Sequence, residues 1–87
     1  MPARYRIEFT PRARRDFRSF ARDIQERIDV RILALTENPR PAGSKKLEGQ
    51  EGLYRIRAGD YRIVYSLHED VLLVLVVRIG HRREVYR

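Results

Sequence analysis

The sequence predicts an α+β fold of order β-α-α-β-β-β. A two-helix hairpin packs on one face of an antiparallel four-stranded sheet, and the other face is open and basic. Three observations lead there. Residues 4–9 and 53–66 alternate with a period of two. Residues 11–35 repeat their apolar side chains at helical spacing. Residues 71–79 form a short apolar run rich in β-branched side chains and bounded by turn residues.

In the first strand Tyr5, Ile7 and Phe9 share a side, and Arg4, Arg6 and Glu8 take the other. Thr10-Pro11 then starts a helix, with Thr as N-cap and Pro at the first helical position. Ala13, Phe17 and Phe20 line one side of that helix, and Arg12, Arg14, Arg15 and Arg18 occupy much of the rest. A break at residues 21–23 leads to a second helix striped by Ile24, Ile28, Ile32 and Leu35. Asn38-Pro39 ends it, because a residue before proline disfavours helical geometry. Residues 39–52, rich in Pro and Gly, read as a loop.

Gly59-Asp60 reads as the two-residue turn of a tight β-hairpin. Tyr54, Ile56, Ala58, Tyr61, Ile63 and Tyr65 then share the face that covers the helices. Arg55, Arg57 and Arg62 share the opposite face with Leu53, Val64 and Ser66. A one-residue slip would bury the arginines, so the apolar pattern fixes the register. It also sets Arg57 directly across from Arg62, an unfavourable like-charge pair that a bound phosphate would relieve. His68-Glu69-Asp70 makes the next turn. The apolar strand at residues 71–79 is expected to be central, covered on both sides, with the first strand beside it.

The 87 residues are expected to form a single domain over 1–87. Lys and Arg number 19 against 12 Asp and Glu, a formal charge of +7. That balance favours a polyanionic partner over a membrane surface. With no cysteine, disulfides and thiolate metal sites are excluded. The two histidines lie far apart, with no carboxylate cluster at ligand spacing, so no metal and no cofactor are expected. GSKKLEG fits neither a P-loop nor a dinucleotide fingerprint. The N-terminus lacks a signal-peptide core, and the longest apolar run falls far short of a membrane span. A cytoplasmic protein is expected.

KKLEG (residues 45–49), GLYRIRAGDYRIVY (52–65) and RIGHRREVYR (78–87) together resemble the RelE/ParE superfamily of toxins from toxin–antitoxin pairs. The likeness spans nearly the whole chain, and its details are closer to the RelE branch. It implies a ribosome-dependent endonuclease that cleaves mRNA in the ribosomal A site without a metal. In that reaction a 2′-hydroxyl attacks the adjacent phosphate. The resemblance also implies a cognate RelB-like antitoxin. ParE-like relatives instead inhibit DNA gyrase, and a degenerate member would only bind its antitoxin.

The family's basic active-site positions fall here on Arg55, Arg57, Arg62 and Arg82, and its terminal tyrosine on Tyr86. Two departures stand out. The YRIR positions are often lysine in the family, and the tail is shorter than in some members.

The chemistry needs a proton acceptor, cations on the phosphate and a donor for the departing oxygen. Arg55 and Arg62 suit phosphate clamping, because a guanidinium forks onto two oxygens. Arg57 is a poor base but would stabilise the attacking oxygen. Arg82 would serve the leaving group, and Tyr86 would stack on a base or orient the hydroxyl. His81 is an acid–base candidate, since histidine titrates near neutrality. Lys45, Lys46 and Arg83 are assigned to RNA phosphates. The blander reading of each is a solvated cationic surface.

Overall fold

In the computed structural model the described residues are 4–47, 49 and 52–81. Strand β1 (Arg6–Phe9) leads into helix α1 (Pro11–Arg18) and helix α2 (Arg22–Ala34). Four strands follow: β2 (Lys45–Lys46), β3 (Leu53–Ala58), β4 (Tyr61–His68) and β5 (Leu73–His81). A 3₁₀ turn at Glu69–Val71 joins β4 to β5. The strands form one sheet in the order β1-β5-β4-β3-β2.

Thr10 caps α1 as the sequence requires. Its Oγ1 accepts the Ala13 N–H at 3.1 Å, and Pro11 occupies the first turn. The break between the helices falls at residues 19–21, two residues earlier than expected. Gln25 of α2 reaches back there, donating from Nε2 to the Phe17 and Phe20 carbonyls at 2.9 and 3.2 Å. One amide thus ties the end of α1 and the break after it to the start of α2.

The β3–β4 register is the one the apolar pattern demands, from Leu53 opposite Ser66 to Ala58 opposite Tyr61. Gly59 takes a φ of 63° at the turn, a value that costs glycine little. Its helix-side face carries Ile56, Ala58, Ile63 and Tyr65. They join Val74, Val76 and Ile79 of β5 and Ala13, Ile28, Ile32 and Leu35 from the helical layer in one buried core. Tyr65 is fully buried and donates its hydroxyl to the Pro39 carbonyl at 2.6 Å. That bond ties the loop after α2 to the sheet.

Three expectations need correction. The sheet has five strands, because Lys45–Lys46 pairs antiparallel with β3; two residues are too short to show a period. The sheet is mixed, because β1 runs parallel to β5. No tight turn fixes β1's direction, and the helices and hairpin together supply the long crossover a parallel pair needs. Finally, residues 71–72 lie outside β5. Leu72 adopts left-handed geometry, φ 53° and ψ 53°, and both side chains are exposed. β5 is central as expected, but Leu73 and Leu75 on its second face are only half-buried.

Candidate functional site

On the side of the sheet away from the helices, register sets two cross-strand rows. Lys45 lies opposite Arg55, Arg55 opposite Val64, and Val64 opposite Arg78. Beside that row, Arg57 lies opposite Arg62, and Arg62 opposite Gly80. Directly opposed residues share a face, so five cationic side chains belong to this patch.

Arg62 is its centre. The residue is 8% exposed, the one buried charged residue among those described. Its Nε has no hydrogen-bond partner among the described residues. An open sheet face could leave such a side chain solvated; here its stem is packed into the sheet, opposite Gly80. A buried guanidinium N–H without a hydrogen bond is costly, and Arg57 across the strand pair adds repulsion. Both terms would fall if an anion bound there.

Of the remaining candidates, Arg55 and Lys45 join this face, and Arg57 is exposed beside Arg62. Lys46 pairs with Tyr54 and so belongs to the other side. His81 is likewise set apart. It lies opposite Tyr61 on the helix side, with its ring edge-on to Tyr61 at 5.7 Å. Arg82, Arg83 and Tyr86 lie outside the described residues. Among the described residues no cluster of three metal-ligating side chains forms, and no helix is long and apolar enough to cross a membrane.

The sequence reading passed over Arg78. Strand alternation from Val74 and Val76 would send residue 78 into the core. A bulge intervenes: Val64 pairs with Arg78, yet Tyr65 pairs with Val76, leaving Val77 as an extra residue. Parity flips beyond it, so Ile79 turns inward and Arg78 outward. No residue type at positions 76–78 announces this.

Helix α1 holds the bulge. β1 ends at Phe9, opposite Val76, so on that side the edge of β5 beyond that point has no strand partner among the described residues. Thr10 Oγ1 donates to the Val77 carbonyl at 3.2 Å. The Ile79 N–H donates to Asp16 Oδ2 at 3.0 Å. Two helix side chains thus stand in for the missing strand. The Asp16 carboxylate also lies 3.4 Å from Arg78 Nε and 3.5 Å from Arg12 Nε.

The profile of the ParE toxin of type II toxin–antitoxin systems, parDE, matches residues 7–86. The chain belongs to this toxin family. Within the RelE/ParE superfamily its relatives are RelE-like. The mRNA interferase toxin RelE of Escherichia coli K12 is 30% identical over 86 residues, covering 94% of this chain and 90% of that one. In the crystal structure of the RelBE2 toxin–antitoxin complex from Mycobacterium tuberculosis, the matching chain superposes with a TM-score of 0.82 at 26% identity. That match covers 97% of this chain and 98% of the other. The intact E. coli RelBE toxin–antitoxin complex gives 0.76 at 28%, covering 91% and 96%.

Proposed function

We propose that residues 1–87 act as one cytoplasmic toxin domain that cleaves mRNA in the ribosomal A site, without metal or cofactor. The 2′-hydroxyl of the nucleotide before the break gives up its proton to solvent as its oxygen attacks the adjacent phosphorus. The 5′-oxygen of the next nucleotide leaves and takes up a proton, giving a cyclic phosphate and a free 5′-hydroxyl. Arg62 and Arg55 clamp the phosphate as its charge builds. Arg57 stabilises the attacking oxygen, Arg82 the leaving oxygen, and Tyr86 stacks on a base. Lys45 and Arg83 hold neighbouring phosphates. His81 and Lys46 lie on the other side of the sheet, so the step proposed here is written without them.

The observation that carries this reading is Arg62: a buried guanidinium with an orphaned Nε, faced by a second arginine. The names of the relatives support it. The antitoxin complexes among the structural neighbours support a cognate RelB-like antitoxin as partner.

The family profile, named for ParE, favours a second reading as a non-catalytic gyrase inhibitor. A translating extract with a defined message separates the two. Message cut within the A-site codon, and spared by Arg62→Ala and Arg82→Ala, supports the nuclease. Intact message with broken DNA supports the inhibitor. Wild-type cutting by both variants removes the arginine face from the site.

A further inference from the structure

Arg78 has features that a surface cation lacks. Its side chain is 31% exposed, and its Nε is buried without a hydrogen-bond partner among the described residues. Asp16 lies within ion-pair range of Arg78 Nε but makes no hydrogen bond to it, while its Oδ2 accepts the Ile79 N–H. The carboxylate therefore balances charge without occupying the Arg78 Nε–H. Without the Val77 bulge, residue 78 would sit on the side of Val74 and Val76, both fully buried. Bulges of this kind re-aim a side chain, often beside a site. This one delivers an arginine diagonal to Arg62, about 7–8 Å away along the face, and its freed carbonyl is held by Thr10.

We propose that Arg78 is a further RNA-binding residue, which grips a backbone phosphate next to the one clamped by Arg62. Asp16 is its positioning residue. The proposal rests on the RNA-directed reading of the open face. Asp16 draws the guanidinium to the α1 end of the arginine rows and fixes the strand that carries it. The donors not facing Asp16 remain for an incoming phosphate, and a guanidinium can offer two of them to one phosphate.

The test uses the whole chain and an end-labelled single-stranded oligoribonucleotide. Binding is read by fluorescence anisotropy across a salt series. Each phosphate contact to a single strand contributes about 0.7 to the slope of log affinity against log salt. Arg78→Ala is expected to reduce the slope by about 0.7, and Arg78→Lys to retain it. Arg22→Ala removes the same charge from an exposed position on α2 and sets the baseline. Asp16→Asn keeps an oxygen for the Ile79 N–H but loses the charge. It should weaken RNA binding although it makes the chain more positive, and it should add nothing in the Arg78→Ala background.

A wild-type chain without salt-dependent RNA binding overturns the proposal. So does an Arg78→Ala slope equal to that of Arg22→Ala, even if Arg78→Ala lowers antitoxin affinity. Tighter binding by Asp16→Asn removes the positioning role. Message cleavage in the translating extract is a separate readout. If wild type leaves message intact, the nuclease reading fails, and the salt slopes still decide whether Arg78 contacts RNA.

Discussion

Ile63 and Arg62 are consecutive residues of one strand, both buried, and they lead opposite lives. Ile63 lies between Ile56 and Ile79 in a row where every neighbour is apolar. Arg62 lies between a second arginine and a glycine, with its Nε orphaned. The same hydrogen-bonded ladder carries both rows, so backbone geometry cannot account for the difference. One pleat concentrates the favourable burial that holds the sheet to its helices. The other accepts unfavourable electrostatics that a bound anion would cancel. Under the proposed function, stability and activity separate by residue parity along β4.

The comparison breaks most visibly through Ile63→Ala. Loss of a fully buried isoleucine should lower stability by roughly 2–5 kcal/mol, read as a fall in the thermal or urea midpoint, with cleavage lost only as the chain unfolds. Arg62→Ala should do the reverse. Cleavage should fall by about 10²–10³, while stability moves by no more than about 1 kcal/mol, since lost packing of the stem is offset by relief of the Arg57 repulsion and of the unpaired charge. Equal effects of the two variants on the melting midpoint would remove the distinction between the pleats.

Tyr65, next but one along the core row, sharpens the comparison through pH. Burial pushes its phenol up to about 12, with the neighbouring Tyr54 adding to the rise and Ser44 and Arg40 opposing it. A phenol with a raised folded-state value stabilises the fold fully below about pH 10. That contribution fades as pH climbs toward 12. Wild type should therefore lose stability between pH 10 and 12 faster than Tyr65→Phe, by roughly 2 kcal/mol over the window. Parallel curves for the two proteins would count against a neutral buried hydroxyl. At neutral pH the same variant should cost about 1–2 kcal/mol through the orphaned Pro39 carbonyl.

The smallest effect lies at the rim. Leu72 holds left-handed geometry that costs a non-glycine residue about 1 kcal/mol, and it keeps much of its surface exposed. Leu72→Gly should leave cleavage unchanged and raise stability by a few tenths of a kcal/mol, the unfolded chain's extra freedom cancelling part of the gain. A clear drop in the melting midpoint would mean that the leucine side chain contributes more than the strain costs.

Most of this contrast was legible beforehand. The β3–β4 register, the capped first helix and the side taken by Arg55, Arg57 and Arg62 all follow from alternation, a Thr-Pro pair and a Gly-led turn. What the sequence hid was non-local. The bulge at Val77 owes its place to Thr10 and Asp16, residues far away in the chain, so no pattern near Arg78 betrays it. The parallel partnership of β1 and the two-residue β2 are likewise set by tertiary contacts. His81 was chosen for its chemistry alone, and the flipped parity of β5 is what carries it to the helix side. The burial of Arg62 is not legible locally, because the residue opposite it, Gly80, lies on another strand.

The position of β5 also sets the order in which the protein can come into being. It is the last of the described strands along the chain, yet it lies between β1 and β4 in the sheet. Pairing of β1 with β5 joins residues as far apart as Arg6 and Leu73, a separation that slows folding. As synthesis proceeds, β1, α1 and α2 emerge first, and the β3–β4 hairpin can then close on itself. β1 meanwhile waits without a neighbour, and the Asp16 carboxylate waits for the amide it will cap. Gly80, which lies opposite Arg62, arrives near the end of that strand. The arginine rows are thus assembled late. A chain interrupted before β5 would display apolar strand faces without a finished basic surface, and would be prone to aggregate.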